Sequence, residues 1–423
     1  MRYVIIGSSA AGMAAAGAIV GAIRRSGQAG QVLVISAERH PPYHRPLIPY
    51  LIEGTKTPEE IQRDATRLPP GVDVRLGRRA VRLDPVAHTV LLDDGESLGY
   101  ERLLLATGSL ASRPPIPGLE GPGVYTLHDW DDALAIAQAA QGAERAVILG
   151  AGRIGMKCAF ALRHLGLDVT VVEIEGRIVP QQLDETGAAI FTRVVQAAGI
   201  HLLLHTTFAR VEHPEGAPKR IVLADGRELT ADLVIGATGV RANAALAREA
   251  GLRVDHGVLV DEAMRTSAPD VYAAGDVVQT TDVVTGEPMV SGIWTNAVAM
   301  GQVAGENMAG GNRRFVGAFR LLNAMELGGL PVISIGRINP PEGNGYQIFA
   351  RQRDQTYRKL VFRDDVLVGL ILIGRVEGAG VYQTLIREQV PLGATFRGQL
   401  LEPTFSYAHF VVPQPVQVDR YMK

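Results

Sequence analysis

Residues 1–12 read Met-Arg-Tyr-Val-Ile-Ile-Gly-Ser-Ser-Ala-Ala-Gly, and residues 145–155 read Arg-Ala-Val-Ile-Leu-Gly-Ala-Gly-Arg-Ile-Gly. Each stretch is a short apolar run suited to a buried parallel strand, then a small-residue turn, then the start of a helical segment. The small residues fall at Gly7, Ser9 and Gly12 in the first and at Gly150, Gly152 and Gly155 in the second, with Ala11 and Ile154 just before each last glycine. This is the spacing of a dinucleotide fingerprint in its strand–turn–helix context. Glycine permits the tight turn and lets backbone N–H groups approach a pyrophosphate, which rests on the positive end of the helix. Each turn has its own downstream Ala-Thr-Gly strand end, at Ala106-Thr107-Gly108 and Ala237-Thr238-Gly239. One such turn is a weak signal. Two with matching strand ends imply that one chain holds two dinucleotides, an arrangement suited to passing electrons between them.

The bulk composition narrows the rest. The chain has 423 residues and a net charge of −2, so it is long enough for two or three domains and carries no global basic field for nucleic acid or a membrane surface. No run of eighteen apolar residues occurs, and the first strand begins at Tyr3 with no charged leader, so the cytoplasm is the expected location. The single cysteine, Cys158, cannot form an internal disulfide, ligate an iron–sulfur cluster or run a dithiol relay. Ten histidines lack metal spacing, so no metal site is expected. The chemistry must come from bound organic cofactors.

The pattern along the chain predicts an α/β protein with two doubly wound, Rossmann-like domains, the second inserted in the first, followed by an α+β domain. The first domain takes residues 1–112 and 241–311, the inserted one 113–240, and the last 312–423. In the first, strand 3–6, a helix over 12–25 and strand 31–36 lead to Glu38, where a carboxylate can accept from both ribose hydroxyls of an adenosine. Strands follow around 72–76 and 80–84, and a hairpin around 89–98 turns at Asp94-Gly95. The Arg113-Pro-Pro-Ile-Pro-Gly stretch is a stiff connection. The inserted domain repeats the pattern, with strand 146–149, a helix from 154 to 165, and strand 169–172 ending at Glu173. In the last domain, strands are expected at 331–335, 346–350, 357–362 and 368–373, with a helix at 381–388. Both parities of 370–373 are apolar, so one strand face packs within this domain and the other meets the first domain or a second subunit; a homodimer through this domain is expected.

Glu38, the two Ala-Thr-Gly ends, Arg113-Pro-Pro-Ile-Pro-Gly, Gly-Ala-Gly-Arg-Ile-Gly and above all Thr266-Ser-Ala-Pro-Asp-Val-Tyr-Ala-Ala-Gly-Asp resemble the FAD- and NAD(P)-dependent pyridine nucleotide–disulfide reductase superfamily. The resemblance runs from residue 1 to about 310. It is nearest to the group of rubredoxin and ferredoxin reductases, NADH oxidases and the flavin part of assimilatory nitrite reductase, which Pro42-Tyr-His-Arg-Pro-Leu-Ile-Pro-Tyr-Leu also resembles. It implies that Gly7, Ser9, Ala11, Gly12, Glu38 and Arg39 serve the ADP half of FAD, with the Ala80–Val81 backbone at its adenine. It places Arg45 and Pro46 by the flavin, Ala106, Thr107, Gly108 and Arg113 along the cofactor, Gly275 and Asp276 at the ribityl chain, and Trp294, Asn296 and Ala297 at the start of the following helix. For NAD(H) it implies Gly150, Gly152, Ile154, Gly155, Glu173 and Gly239.

Charge argues the nicotinamide identity. Glu173 would accept from an adenosine 2′-hydroxyl, whereas a 2′-phosphate would be repelled by it and by Glu175. Arg177 would soften that repulsion, meet a pyrophosphate or pair with Glu175. NADH is therefore expected over NADPH.

Two departures from the resemblance shape the expected chemistry. Pro46 stands where peroxide- and disulfide-reducing relatives carry a redox cysteine, and proline can do neither job. Relatives also have Glu two residues beyond the last fingerprint glycine and Lys shortly after the Arg-Pro segment; here those places hold Lys157 and Tyr50. Both are expected beside the isoalloxazine on the nicotinamide side, as catalytic residues. An ammonium there would stabilise negative charge on the reduced flavin, hold a substrate anion, pair with Glu53 or simply face solvent. Three functions stay open at this point. Electrons pass from NADH through FAD to a small acidic carrier such as rubredoxin or ferredoxin, or to oxygen, quinone or another small acceptor as in an NADH oxidase or diaphorase, or the chain is a non-catalytic FAD-binding sensor or assembly partner. Residues 312–423 carry 14 Arg and Lys against 9 Asp and Glu, a balance that would steer an acidic carrier.

Overall fold

The apolar runs at the two glycine turns become the central strands of two parallel sheets. In the computed structural model, which describes residues 1–27, 29–62, 70–402 and 405, the chain begins with β1 (Arg2–Ile6), α1 (Ala10–Ser26), β2 (Gln31–Ile35), α2 (Pro49–Ile52), β3 (Val72–Arg75) and β4 (Arg102–Leu105). It continues with β5 (Val124–Thr126), α3 (Trp130–Ala140), β6 (Arg145–Leu149), α4 (Arg153–His164), β7 (Asp168–Val172), α5 (Glu185–Ala197), β8 (Ile200–Leu203) and β9 (Leu233–Gly236). After these come β10 (Val271–Ala273) and α6 (Trp294–Met308). The first sheet has the order β10-β4-β1-β2-β3 and the second β8-β7-β6-β9-β5, every pair parallel. Because β10 returns to pair with β4, the whole second sheet is an insertion between two neighbouring strands of the first. Val4, Ile5, Leu33, Val34, Leu103 and Leu104 are all 1% exposed or less. Burial on both faces is what a parallel sheet covered by crossover helices requires.

The chain divides into two units: Met1–Gln181 with Ala188–Arg320, and Gln182–Gly187 with Leu321–Lys423. Residues 312–320 thus group with the dinucleotide-binding elements rather than with the last domain, while residues 182–187 group with the last domain. The second unit is an antiparallel sheet of β11 (Leu322–Leu327), β12 (Leu330–Gly336), β13 (Tyr346–Arg353), β14 (Thr356–Arg363) and β15 (Val366–Ile373), with α7 (Ala379–Arg387) packed on it. The strand order is β11-β12-β15-β14-β13. The sequence reading missed β11, whose apolar residues Leu322, Ala324, Met325 and Leu327 keep no regular two-residue alternation. Leu370, Ile371, Leu372 and Ile373 are each 1% exposed or less, so both faces of β15 are covered within this one chain. The two apolar parities therefore supply no argument for a second subunit.

In this second unit a charge is buried. Lys359, in the middle of β14, lies 2.9 Å from Asp184, which also accepts from the Tyr357 hydroxyl at 2.7 Å and the Gly187 N–H at 2.9 Å. The Ser334 hydroxyl donates to the Gln182 carbonyl at 2.6 Å. The β14 and β12 side chains so clasp residues 182–187 by polar contacts, beside the fully buried Leu183. Removing one partner strands the other charge, a loss of about 3–5 kcal/mol. Lys359→Met is expected to lower the urea midpoint by several tenths molar or more; an unchanged midpoint would show that the pair contributes nothing.

Candidate dinucleotide sites

The two fingerprints share one backbone device. Gly7 and Gly150 have φ of +118° and +104°, and a Cβ on either would strike the carbonyl of Ala106 at 2.1 Å or of Ala237 at 2.5 Å. A Cβ on Gly12 would lie 1.9 Å from the Gly7 carbonyl, and one on Gly155 2.0 Å from the Gly150 carbonyl. Each Ala-Thr-Gly strand end thus buttresses its own turn, and each last glycine lets the helix sit down on it. Gly155→Ala is expected to abolish binding at the second turn and to cost several kcal/mol, because backbone must move to admit the methyl. NAD+ titration and thermal melting check it together. Neither α1 nor α4 has an acidic residue in its first turn. Their N-terminal N–H groups face no competing carboxylate there, which suits a pyrophosphate. Ser9 takes the N-cap position of α1 in extended backbone, with no side-chain capping bond. It therefore needs no glycine conformation.

Around the first turn the structure gathers Glu38, Arg45 and Asp276. The Glu38 carboxylate is paired with the Arg45 guanidinium and accepts from the Tyr43 hydroxyl at 2.6 Å. Arg45 also donates to the His128 carbonyl at 2.6 Å. Its bonds run to Glu38 and His128, and its charge also acts on Asp276. The Trp130 N–H donates to the Tyr43 hydroxyl at 3.1 Å, and burial raises the pKa of that phenol. Asp276 accepts from the Ser109 hydroxyl at 3.2 Å. Burial pushes its carboxyl above the ordinary range, while the Ser109 hydroxyl and the Arg45 and Arg153 charges pull the other way. Burial in turn lowers the Arg153 pKa, opposed by the same Asp276. Arg45 and Arg153 are thus electrostatic neighbours of one carboxylate, although 107 residues separate them in sequence.

Tyr50 and Lys157 come together. Helix α2 packs against α4, and the Lys157 ammonium stands over the Tyr50 ring, 5.1 Å from its centroid. Arg153 precedes Lys157 by four residues, so both lie on one face of α4. Cys158, next along, points the other way: it is fully buried, and burial pushes its thiol up to about 12. No reaction with a thiol reagent such as iodoacetamide is expected in the native state, with one equivalent after unfolding in urea. Rapid native labelling would contradict that burial.

Other expected residues are placed less directly. The Asn296 amide donates to the Ser291 hydroxyl at 2.7 Å and the Phe319 carbonyl at 2.8 Å, and the residue is 4% exposed. Its side chain ties the start of α6 into the core. The Thr107 hydroxyl likewise donates to the Asn243 carbonyl at 2.7 Å, clasping the two connections between the sheets. Arg39, Pro46 and Arg113 are exposed, Val81 is 41% exposed, and Ala297 is buried. Trp294 is half-buried, with the His44 ring 5.4 Å away. Sequence reasoning missed Tyr43, Ser109, His128 and Arg153. Of these only Arg153 carried a signal, as a charge directly after the middle fingerprint glycine.

At the second turn, Glu173 is 7% exposed. It accepts from the Ala151 N–H at 2.6 Å and the Glu175 N–H at 3.0 Å. Among the described residues no group of three or more His, Cys, Asp or Glu could hold a metal, and no helix is long and apolar enough to cross a membrane.

Two fingerprints on two sheets, each buttressed by its own strand end, define a two-dinucleotide oxidoreductase. Residues 1–301 match the pyridine nucleotide-disulphide oxidoreductase family, and residues 322–390 match the rubredoxin NAD+ reductase C-terminal domain. The chain belongs to the pyridine nucleotide-disulphide oxidoreductase family. It is 32% identical over 404 residues to the NADH-dependent phenylglyoxylate dehydrogenase subunit epsilon of Aromatoleum evansii, covering 92% of each chain. It is 33% identical to the NADH oxidase of Methanocaldococcus jannaschii, over 78% of this chain and 75% of that one. The solved NAD-dependent persulfide reductase of A. fulgidus superposes with a TM-score of 0.82 at 28% identity, over 92% of this chain and 77% of that one. The protein is an enzyme that uses FAD and NAD(H). FAD supplies acceptance of a hydride equivalent and its onward release as electrons.

Proposed function

We propose that the enzyme carries electrons from NADH through FAD to a small iron-containing carrier protein of the rubredoxin or ferredoxin kind, with no protein thiol in the path. The observation that carries this reading is the state of Cys158, the only cysteine, which is buried and held as a thiol. A buried thiol of this kind is neither nucleophile nor redox partner. The C-terminal match to a rubredoxin reductase domain supports an external protein acceptor. Glu38, Arg45 and Asp276 would hold FAD, and the Gly150–Gly155 turn with the Glu173–Glu175 rim would hold NADH.

One observation favours the oxidase reading instead. The second unit, counted on its own bounds with residues 182–187, has eleven Arg and Lys against eleven Asp and Glu. Of the five positive charges in excess over residues 312–423, three are Arg313, Arg314 and Arg320, which lie outside this unit, and two are offset by Asp184 and Glu185 within it. Each of the three arginines pairs with a carboxylate of the first unit, Glu306, Glu262 and Glu287. The steering argument for an acidic carrier loses its basis, and the relative named an NADH oxidase then counts for more. Intact glycines at the second turn weigh against a purely non-catalytic flavoprotein. Stopped-flow reduction by NADH, followed by oxidised rubredoxin, ferredoxin, quinone and oxygen in turn, separates the readings. Reoxidation by oxygen as fast as by any protein carrier would overturn the carrier proposal. A cytoplasmic homodimer is part of the same reading. Light scattering at micromolar concentration tests the dimer, and a monomer would refute it.

A further inference from the structure

The carboxylate that follows β2 is held from the insertion as well as from its own sheet. Both oxygens of Glu38 have donors: the Arg45 guanidinium takes Oε1, and the Tyr43 hydroxyl donates to Oε2 at 2.6 Å. A carboxylate offers about four lone-pair sites, so each oxygen keeps room for one further donor such as a ribose hydroxyl. Both donors are tied in turn to the insertion that carries the second sheet. The Trp130 N–H donates to the Tyr43 hydroxyl at 3.1 Å, and Arg45 donates to the His128 carbonyl at 2.6 Å.

Trp130 is the first residue of α3, where a helix leaves N–H groups without an intrahelical partner. The Asp129 side chain takes one of them, accepting from the Asp132 N–H at 2.9 Å. Tyr43 takes another. With the helix end donating to its oxygen, the Tyr43 hydroxyl points its own proton at Glu38. The phenol is 5% exposed, and its ring meets the Trp130 ring edge-on, 5.4 Å between centroids. Packing therefore fixes where the hydroxyl stands. His40 makes a separate contact with the same helix end: its ring stacks on Trp130 at 4.2 Å, and its Nε2 lies 2.7 Å from Asp131.

We propose that Tyr43 is a positioning residue for FAD: its hydroxyl, aimed by the N-terminus of α3, sets the Glu38 carboxylate in the orientation that accepts from the adenosine ribose. This rests on the reading of Glu38 as the adenosine carboxylate. A guanidinium favours a bidentate pair with a carboxylate, and the phenol holds one oxygen out of that arrangement. Without the hydroxyl, the carboxylate swings onto Arg45 and the ribose loses its acceptor, although no charge has changed. Part of the insertion thus takes part in recognising the flavin nucleotide.

The test compares release of FAD and of its 2′-deoxyadenosine analogue from the reconstituted protein, read by flavin fluorescence with no turnover involved. Wild type is expected to hold FAD at least about tenfold more tightly than the analogue, the scale of one hydrogen bond to a charged acceptor. Tyr43→Phe keeps the ring contacts, with Trp130 and with the Arg45 guanidinium 5.3 Å from the centroid, and removes only the hydroxyl. In that variant the ratio is expected to fall to about threefold or less. His40→Ala loosens the same helix end and leaves the phenol in place, so it should lower the melting temperature and keep the full ratio. A Tyr43→Phe ratio equal to wild type, or a His40→Ala ratio as low as that of Tyr43→Phe, would overturn the positioning role. Where Tyr43→Phe does not fold, Glu38→Asp takes its place: it keeps the charge but withdraws it from the phenol, and a full ratio there overturns the role as well. No preference for FAD in wild type, or full preference retained in Glu38→Ala, overturns the reading of Glu38 itself, and this inference with it.

Discussion

Asp276→Ala is expected to purify as soluble, folded and nearly colourless protein, and wild type as yellow protein with one FAD per chain. Asp276 sits directly after Gly275 and just past β10, at the end of the strand that closes the first sheet. Its carboxylate accepts from Ser109 and is otherwise short of donors in a buried place, which is why burial raises its pKa. Ribityl hydroxyls would supply those donors. Removing the carboxylate deletes charge-assisted hydrogen bonds of about 1.5–3 kcal/mol each, so two of them lost weaken FAD by roughly a hundredfold or more. The core is untouched, because Val277 and Ala274 hold the strand end from either side. The pH dependence follows from the same shift. With a folded-state pKa above the ordinary value, Asp276 without flavin favours its proton, whereas the flavin-bound form favours the carboxylate. Wild type should therefore release FAD on acidification starting above the usual carboxylate range, and Asp276→Asn should lack that step. The ratio of absorbance at 450 nm to that at 280 nm reads both. Full FAD content in Asp276→Ala would refute the role.

Lys157→Glu is expected to lower the flavin midpoint potential and slow reduction by NADH. Lys157 is fixed over the Tyr50 ring and shares a helix face with Arg153, whose charge Asp276 feels. If the isoalloxazine lies on that face, charge reversal at roughly 8 Å with an effective dielectric near 20 changes the interaction by about 4 kcal/mol. That is about 90 mV in a two-electron couple. The sign is set by the charge that reduction adds: an ammonium favours it, a carboxylate opposes it. Tyr50→Phe keeps the ring face that holds the ammonium, so its potential should stay at the wild-type value, while Tyr50→Leu should move part of the way towards Lys157→Glu. A Lys157→Glu potential equal to wild type would make Lys157 an ordinary surface residue.

The local features were legible in sequence because each is a short-range rule. Val4–Ile6 and Val147–Leu149 are buried apolar runs, Gly7 and Gly150 mark turns that need positive φ, and Glu38 and Glu173 end the next strand. The fingerprints thus located two sheets, and the single cysteine removed thiol chemistry from the front rank. The tertiary structure alone decided what side chains do once distant segments meet. Glu38 finds Arg45 and Tyr43, whereas Glu173 finds two backbone N–H groups, and nothing in the two spacings distinguishes them. The Asn296 amide and the Thr107 hydroxyl turn to Phe319 and Asn243, carbonyls 23 and 136 residues away. Asp184 meets Lys359 and Tyr357, far along the chain. Such pairings depend on which polar groups are buried together and must satisfy one another, and that is set by packing across the fold rather than by any local period.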